Sequence, residues 1–512
     1  MLIRSAKEPN ALALADRLRE EVCGRLDGGS RSRLGQFLTP PSVGRYLAGQ
    51  FQGYGEHIRF LDAGAGLGSL SAAFVERLLS LRSKPKSLHI EAWEIEPAFL
   101  PGLQLVLDDC LEMASGMGIR ATCEIHARDF LQEAALIADG LFSKRERFTH
   151  CAINPPYGKI ATNSDARRIL RRAGLETTNL YAGFVWMASR LLTAGGEMAA
   201  ITPRSFCNGP YFQPFREAFL SFMALRHVTL FEKRDELFAD DQVLQETIVF
   251  HAIRGSPNCE LRISNWRSAA EIETHLVRQG TVVSESDPQR VIHLPAGNED
   301  LEVSKTADCL TSSLENLGIQ VSTGRVVDFR SKEFLRSEPS VDTVPLLYPG
   351  HLKSGRVVWP IPASKKANAI VASIGTEGLL VPNGVYVLVK RFSAKEERRR
   401  IVAALFEPIS SPARYNRVGF ENHLNYFHTN GRPLEKALAT GLALFLNSTL
   451  VDRLFRQFNG HTQVNASDLR RLRYPSAAEL RRLAASVSEG AADQDEIDES
   501  LARTLSLKMQ AA

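Results

Sequence analysis

The apolar run Thr149-His150-Cys151-Ala152-Ile153 ends in Asn154-Pro155-Pro156-Tyr157, which sets a carboxamide, two rigid imide units and a phenol side by side. A buried strand opening into a loop is where an open α/β sheet carries its chemistry. These residue types suit one problem in particular. An exocyclic amino group such as that of adenine is a weak nucleophile, because its lone pair is delocalised into the ring. Acceptors placed on both of its hydrogens draw the nitrogen toward tetrahedral geometry without a strong base. The Asn154 side-chain oxygen and the Pro155 backbone carbonyl have that capacity. Tyr157 offers a flat face for a base taken out of its stack, and Pro155 and Pro156 stiffen the loop. A strand that simply ends in a proline turn with a surface tyrosine would read the same way.

Such a loop needs a neighbouring pocket, and the chain supplies pieces of one. Arg59-Phe60-Leu61-Asp62-Ala63-Gly64-Ala65-Gly66-Leu67-Gly68 runs an apolar strand into three glycines, followed by the helical spacing of Leu70, Ala73, Phe74 and Leu78. Gly64, Gly66 and Gly68 let backbone approach a nucleotide-like ligand closely. Their spacing is GxGxG and not the GxGxxG of dinucleotide binders. The strand Leu88 to Trp93 ends in Glu94-Ile95-Glu96-Pro97, placing a carboxylate where both hydroxyls of a ribose could donate to it. After the strand-like Ala121 to His126, Asp129 is placed to accept from an adenosine amino group and Phe130 to pack on its ring. Asp129 also suits the cap of the next helix.

Taken in order, these pieces resemble the gamma-class N6-adenine DNA methyltransferases of bacterial restriction-modification systems, with segments such as Val321 to Asp328 and Tyr348-Pro349-Gly350-His351 similar to the PstI-like subgroup. The earliest match, Leu34-Gly35-Gln36-Phe37-Leu38-Thr39-Pro40-Pro41, is close to the family's GQFFTP and implies that Thr39 and Pro40 help hold the methionine end of S-adenosylmethionine. Asp62, Gly64, Gly66 and Gly68 stand where the family reads DPACGTG, from which Ala63 and Gly64 depart. The resemblance makes Glu94 and Ile95 the ribose site, Asp129 and Phe130 the cofactor's adenine site, and Asn154 to Tyr157 the catalytic loop. Leu180 to Phe184, the turn Thr193 to Gly196 and Thr202-Pro203-Arg204-Ser205-Phe206 continue the order, and Phe238 is the candidate for a second aromatic against the flipped base. The implied fold is α/β: a Rossmann-like S-adenosylmethionine-dependent core with a carboxy-terminal mixed α+β target-recognition region.

Composition fits this reading. The chain has 512 residues, enough for more than one domain, and 44% of them are hydrophobic, enough for two or three cores. Its seven cysteines contain no CxxC pair, which argues for a reducing compartment and against a disulfide framework or structural zinc. His89-Ile90-Glu91 superficially matches the HxE of zinc deaminases, but no PCxxC follows, and no metal is expected. Without a signal-like amino terminus or a membrane-length apolar run, a cytoplasmic protein is expected. Some fused restriction enzymes carry an endonuclease domain ahead of their methylase. Only about thirty residues precede Gly35, so any cognate restriction endonuclease is expected on a separate polypeptide.

Charge separates the halves. The whole chain is only +4, yet residues 321 to 485 carry about 25 basic against about 13 acidic side chains, an excess on the order of +12 suited to a polyanion. Arg391, Arg414, Arg417, Asn422, Asn425, Arg470, Arg471 and Arg473 lie in clusters where basic, amide and aromatic residues alternate, and are the expected contacts to double-stranded DNA. The expected organisation is an amino-terminal helical segment 1–33, a catalytic domain 34–255, a linker 256–300, a recognition region 301–485 and an acidic helical tail 486–512, in a monomer. Competing readings are a protein-glutamine or RNA methyltransferase using the same loop, and a non-catalytic DNA-binding descendant. Cofactor binding would separate the last from the rest.

Overall fold

Apolar runs bounded by glycine or proline become parallel strands in the first of two compact units, Met1–Gly297 and Asn298–Ala512. The structure is a computed structural model and describes residues 10–25, 38–138, 147–231, 246–257, 260–268, 271–284, 287–307, 309–393, 397–409, 415–459, 462–487 and 493–509.

In the first unit, β1 (His57–Ala63), β2 (Ser87–Trp93), β3 (Arg120–His126), β4 (Phe148–Ile153), β5 (Leu192–Pro203), β6 (Met223–Phe231), β7 (Thr247–Arg254), β8 (Glu260–Ser268) and β9 (Glu271–Arg278) build one nine-stranded sheet in the order β3-β2-β1-β4-β5-β7-β6-β8-β9. Strands β1 to β5 pair in parallel, whereas β7 enters antiparallel between β5 and β6. The order turns back between β1 and β4, which opens a crevice beyond the carboxyl ends of those strands.

Helices α1 (Ala11–Arg25), α2 (Pro41–Ala48), α3 (Ser69–Ser80), α4 (Leu100–Gly116), α5 (Phe130–Ala138), α6 (Asp165–Arg172), α7 (Leu180–Leu191) and α8 (Gln213–Phe222) accompany this sheet. Phe60 of β1 stacks on Phe74 of α3 with centroids 4.1 Å apart, and Leu12, Ala15 and Leu18 of α1 join the same buried cluster. This core fixes the strand ends from which the site projects.

The expected linker at 256–300 is corrected. The chain returns to the sheet in β8 and β9, with Leu261 and Ile263 fully buried. Gly255 and Pro257 mark a tight connection there and not the end of the sheet.

The second unit has a six-stranded sheet in the order β10 (Gln320–Thr323), β20 (Leu424–His428), β17 (Tyr386–Lys390), β18 (Ala403–Phe406), β14 (Arg356–Val357) and β13 (Leu352–Lys353). A five-stranded sheet orders β11 (Leu335–Arg336), β15 (Ala369–Val371), β12 (Thr343–Leu347), β19 (Arg417–Phe420) and β16 (Leu380–Pro382). Its last helix, Gln494–Met509, is acidic at its start but buries Ile497, Leu501 and Leu505, so it is a packed element and not only a polar tail. Among the described residues no single helix is long and apolar enough to cross a membrane.

Candidate active site

Asn154 to Tyr157 leave the carboxyl end of β4, where Ile153 is fully buried. The loop is braced against the start of α7: Leu180 N donates to Gly158 O at 2.8 Å and Ile160 N to Thr178 O at 2.7 Å. Tyr157 sits edge-on to Tyr181, 6.2 Å between centroids, and its hydroxyl donates to Ile201 O at 3.4 Å. Tyr181 is in turn tied to Ser205 at 2.8 Å. Burial pushes the phenols of both tyrosines well up, so both rings are neutral surfaces.

The Asn154 carboxamide donates from Nδ2 to the hydroxyl of Thr39, 3.1 Å away and almost buried. Thr39 was expected beside the cofactor; its hydroxyl meets the Asn154–Tyr157 loop.

A cleft lies beyond the ends of β1, β2 and β4. Of the residues singled out by sequence, Gly64, Gly66, Glu94, Ile95, Asp129, Phe130, Asn154 and Pro156 line it. Leu38, Trp93, Phe99, Arg128 and Phe184 also line it and were not foreseen. Phe184 meets Phe130 at 5.2 Å; the sequence placed it in the segment that continues the motif order and gave it no role at the cleft. A wider open groove beside Tyr46, Tyr54 and Arg262 contains none of the motif residues, and its His227 ring is held by Gln50 and Ser264.

Glu94 joins the two halves of the cleft wall. Its Oε2 accepts from Gly66 N and its Oε1 from Glu96 N, each at 2.7 Å. Burial raises its carboxyl above the usual range, while these backbone donors oppose the shift. Gly66 has φ of 55°, a left-handed backbone that favours glycine, and a Cβ there would meet the end of the Leu38 side chain at 2.9 Å, so Leu38 would have to shift. Asp129 caps the helix that follows, Oδ1 accepting from Gln132 N at the start of α5 at 3.2 Å, and the residue also lines the cleft.

Thr39, Pro40, Asp62, Gly68, Pro155 and Tyr157 are not among the residues that line the cleft. For Asp62 the reason is full burial. Its Oδ2 accepts from Ser71 Oγ at 2.6 Å and from Ser71 N at 3.2 Å, where it answers the open amides at the start of α3. Its Oδ1 has no hydrogen-bond partner among the described residues. Burial, opposed by Ser71 and reinforced by the charge of Glu94, pushes this carboxyl up to about 7. An unfolded aspartate titrates near 4, so between about pH 4 and pH 7 the folded chain keeps a proton that the unfolded chain has lost. Stability therefore falls as pH rises through that window. Asp62→Asn is expected to remove this term and gain on the wild type, by a few kcal/mol at most, between about pH 5 and pH 7.5. Denaturant unfolding at the two pH values measures it; an unchanged difference would show that Asp62 is ionised throughout.

The basic half is corrected in part. Asn425 is fully buried, donating to Val464 O at 2.7 Å and accepting from Thr323 at 3.1 Å, and cannot touch a ligand in this fold. Gln457, Asn459, Tyr426, Tyr474 and Arg400 from the same clusters are buried as well. These polar side chains join interior strands and helices, because buried polar groups need partners. Arg471 is mostly buried beside Asp468. Arg391 donates to Asn422 O at 3.2 Å, and Arg417 is half exposed and paired with Glu377. Arg470 and Arg473 are exposed, and Arg470 also donates to Val321 O at 3.1 Å. Phe238, Arg414 and the stretch Gly35-Gln36-Phe37 lie outside the described residues.

A largely parallel sheet into which β7 enters antiparallel between β5 and β6, a glycine turn after β1, an acid after β2 and an NPPY loop after β4 together define a class I methyltransferase. The chain is 42% identical over 500 residues to the Type II methyltransferase M.PstI of Providencia stuartii, covering 96% of this chain and 97% of that protein. It is also 42% identical over 484 residues to the Type II methyltransferase M.BsuBI of Bacillus subtilis, covering 93% and 95%. The Eco57I restriction-modification methylase family matches residues 119–238. The chain belongs to the Type II restriction-modification methyltransferases, the family that the order of its motifs indicated. The solved type IIG restriction endonuclease BpuSI aligns over 97% of this chain and 68% of its own, at 14% identity and a TM-score of 0.47, too distant to bear on function.

Proposed function

We propose that this methyltransferase moves a methyl group from S-adenosylmethionine to N6 of an adenine turned out of duplex DNA, and so shields host DNA from a cognate endonuclease. One observation carries the reading: Asn154 lines the same cleft as Glu94, Asp129 and Phe130, so one acceptor of the clamp faces the pocket that these residues form. The residues fit the cofactor. Glu94 would take the ribose hydroxyls on lone pairs beyond those its backbone donors occupy. Ile95, Phe130 and Asp129 would hold the adenine, and the backbone at Gly64 and Gly66, where no side chain intervenes, would admit the methionine part. When bound, the cofactor supplies a methyl group on a positively charged sulfur.

The chain's own residues do the rest. Turning a base out of the stack costs roughly a few kcal/mol, which stacking on Tyr157 and hydrogen bonding in the pocket offset. Asn154 Oδ1 and Pro155 O accept the two N6 hydrogens and align the nitrogen. Rate comes from positioning and from fixed dipoles, and the surplus N6 proton passes to water after transfer. The carboxy-terminal unit binds the duplex. Arg473→Ala is expected to lower the slope of log affinity against log salt by about 0.9, the share of one phosphate contact, as read by anisotropy titrations on duplex DNA. An unchanged slope would take Arg473 off the DNA.

The test is methyl transfer from radiolabelled S-adenosylmethionine to DNA, RNA and protein in parallel, with single-molecule sequencing of DNA from cells that express the chain. Label in DNA and N6-methyladenine at one short motif are expected. Label in protein or RNA, or genomic adenines left unmodified, would overturn the reading.

A further inference from the structure

We infer that Thr39 is a positioning residue for methyl transfer, whose hydroxyl holds the Asn154 carboxamide in the rotation that makes Oδ1 the acceptor toward the substrate nitrogen. The inference rests on the adenine reading above. A carboxamide has one accepting and one donating end, and the ends exchange on a half turn about its last side-chain bond. With Nδ2 turned toward an amino group, two donors would face each other and the clamp would repel its substrate. Something must therefore keep Nδ2 turned away. In this structure Nδ2 sits 3.1 Å from Thr39 Oγ1, across 115 residues of sequence.

Thr39 is itself held on the scaffold. It is 7% exposed, so its hydroxyl lies in a site largely closed to water. Pro40, with φ of −64°, caps α2, and α2 packs on α3 and β5. On the other side Leu38 closes on Gly66 of the glycine turn and lines the cleft. One short segment thus meets the cofactor turn through Leu38 and the catalytic amide through Thr39. A hydroxyl on a β-branched residue has few rotamers, which makes it a firmer anchor than a longer polar side chain.

The experiment compares the full-length wild type with Thr39→Val, Thr39→Ser and Asn154→Ala. Cofactor affinity is measured by calorimetry, and the single-turnover rate of methyl transfer to DNA at saturating cofactor. Valine keeps the shape and removes the hydroxyl; serine keeps the hydroxyl and loses a methyl. Thr39→Val should slow single turnover about tenfold, the effect of one lost hydrogen bond, with cofactor Kd within about twofold of wild type. Thr39→Ser should restore the rate to within about threefold. A normal rate in Thr39→Val with Asn154→Ala inactive would overturn the inference and leave the adenine reading standing. So would a weakened cofactor Kd with a normal saturated rate, which marks a cofactor ligand. If serine is as slow as valine, the methyl contact matters and the hydroxyl does not, and the inference again fails. A normal rate in Asn154→Ala would bring down both.

Discussion

Asn154→Ala is expected to bind cofactor within about threefold of the wild type and to lose methyl transfer by at least 10²- to 10³-fold, the scale on which removing one preorganised polar group acts in other transfer reactions. The separation follows from where the atoms lie. Asn154 shares the cleft with Glu94 and Phe130, but its Nδ2 donates to Thr39, whereas the Glu94 carboxylate takes its backbone donors from Gly66 and Glu96. Removing the amide leaves the nucleoside pocket standing and deprives the substrate nitrogen of one acceptor. That nitrogen then stays conjugated, and position alone does not make it nucleophilic. Calorimetry with the cofactor and single-turnover labelling of duplex DNA read the two halves separately. Asn154→Asp is a useful companion, since a carboxylate still accepts from N6 but offers no N–H to Thr39; it should fall between the two. Wild-type turnover in Asn154→Ala would move the chemistry to another residue.

Glu94→Ala is expected to show the converse, with cofactor affinity lowered about 100-fold or more. The carboxylate joins Gly66 N to Glu96 N by two bonds of 2.7 Å, so its loss removes the proposed ribose acceptor and leaves both backbone donors without their partner. A hydrogen bond to a charged group contributes about 1.5–3 kcal/mol, and two are disturbed at once. Glu94→Gln should do little better, because one end of an amide presents N–H to a backbone N–H. Protonation has the same sense. The Glu94 carboxyl is raised by burial, so acidification should weaken cofactor binding at a higher pH than an ordinary glutamate would allow. Calorimetry across a pH series measures both effects; full affinity in Glu94→Ala would move the ribose site elsewhere. At saturating cofactor the remaining activity of Glu94→Ala should recover, whereas that of Asn154→Ala should not.

The legible part of the molecule was its strand ends. The glycine turn, the acid after β2 and the loop after β4 each declare themselves through local backbone chemistry: positive φ at Gly64, Gly66 and Gly68, a proline that stops a strand, an apolar run that ends in polar residues. The strands read from the chain at 88–93, 121–126 and 149–153 lie within β2, β3 and β4. The same local reasoning failed at Gly255 to Pro257, where a break in pattern was a connection inside the sheet, followed by β8 and β9.

Side-chain partnership was not legible. Asn425 reads as a base contact in the company of Arg417, Asn422 and Tyr426, yet it is fully buried between Val464 and Thr323. Phe184 reads only as part of a family-like helix, and it lines the cleft. Asp62 reads as a cofactor ligand, and its carboxylate accepts from Ser71 in the first turn of α3. Dihedral preferences belong to a residue and its immediate neighbours, so the amino-acid order alone carries the turns, the strand ends and the catalytic motif. Which polar atom meets which is settled when distant segments close around a common core, because burial makes each group take the partner that packing brings within reach. The pairing of Thr39 with Asn154, 115 residues apart, exists only at that level.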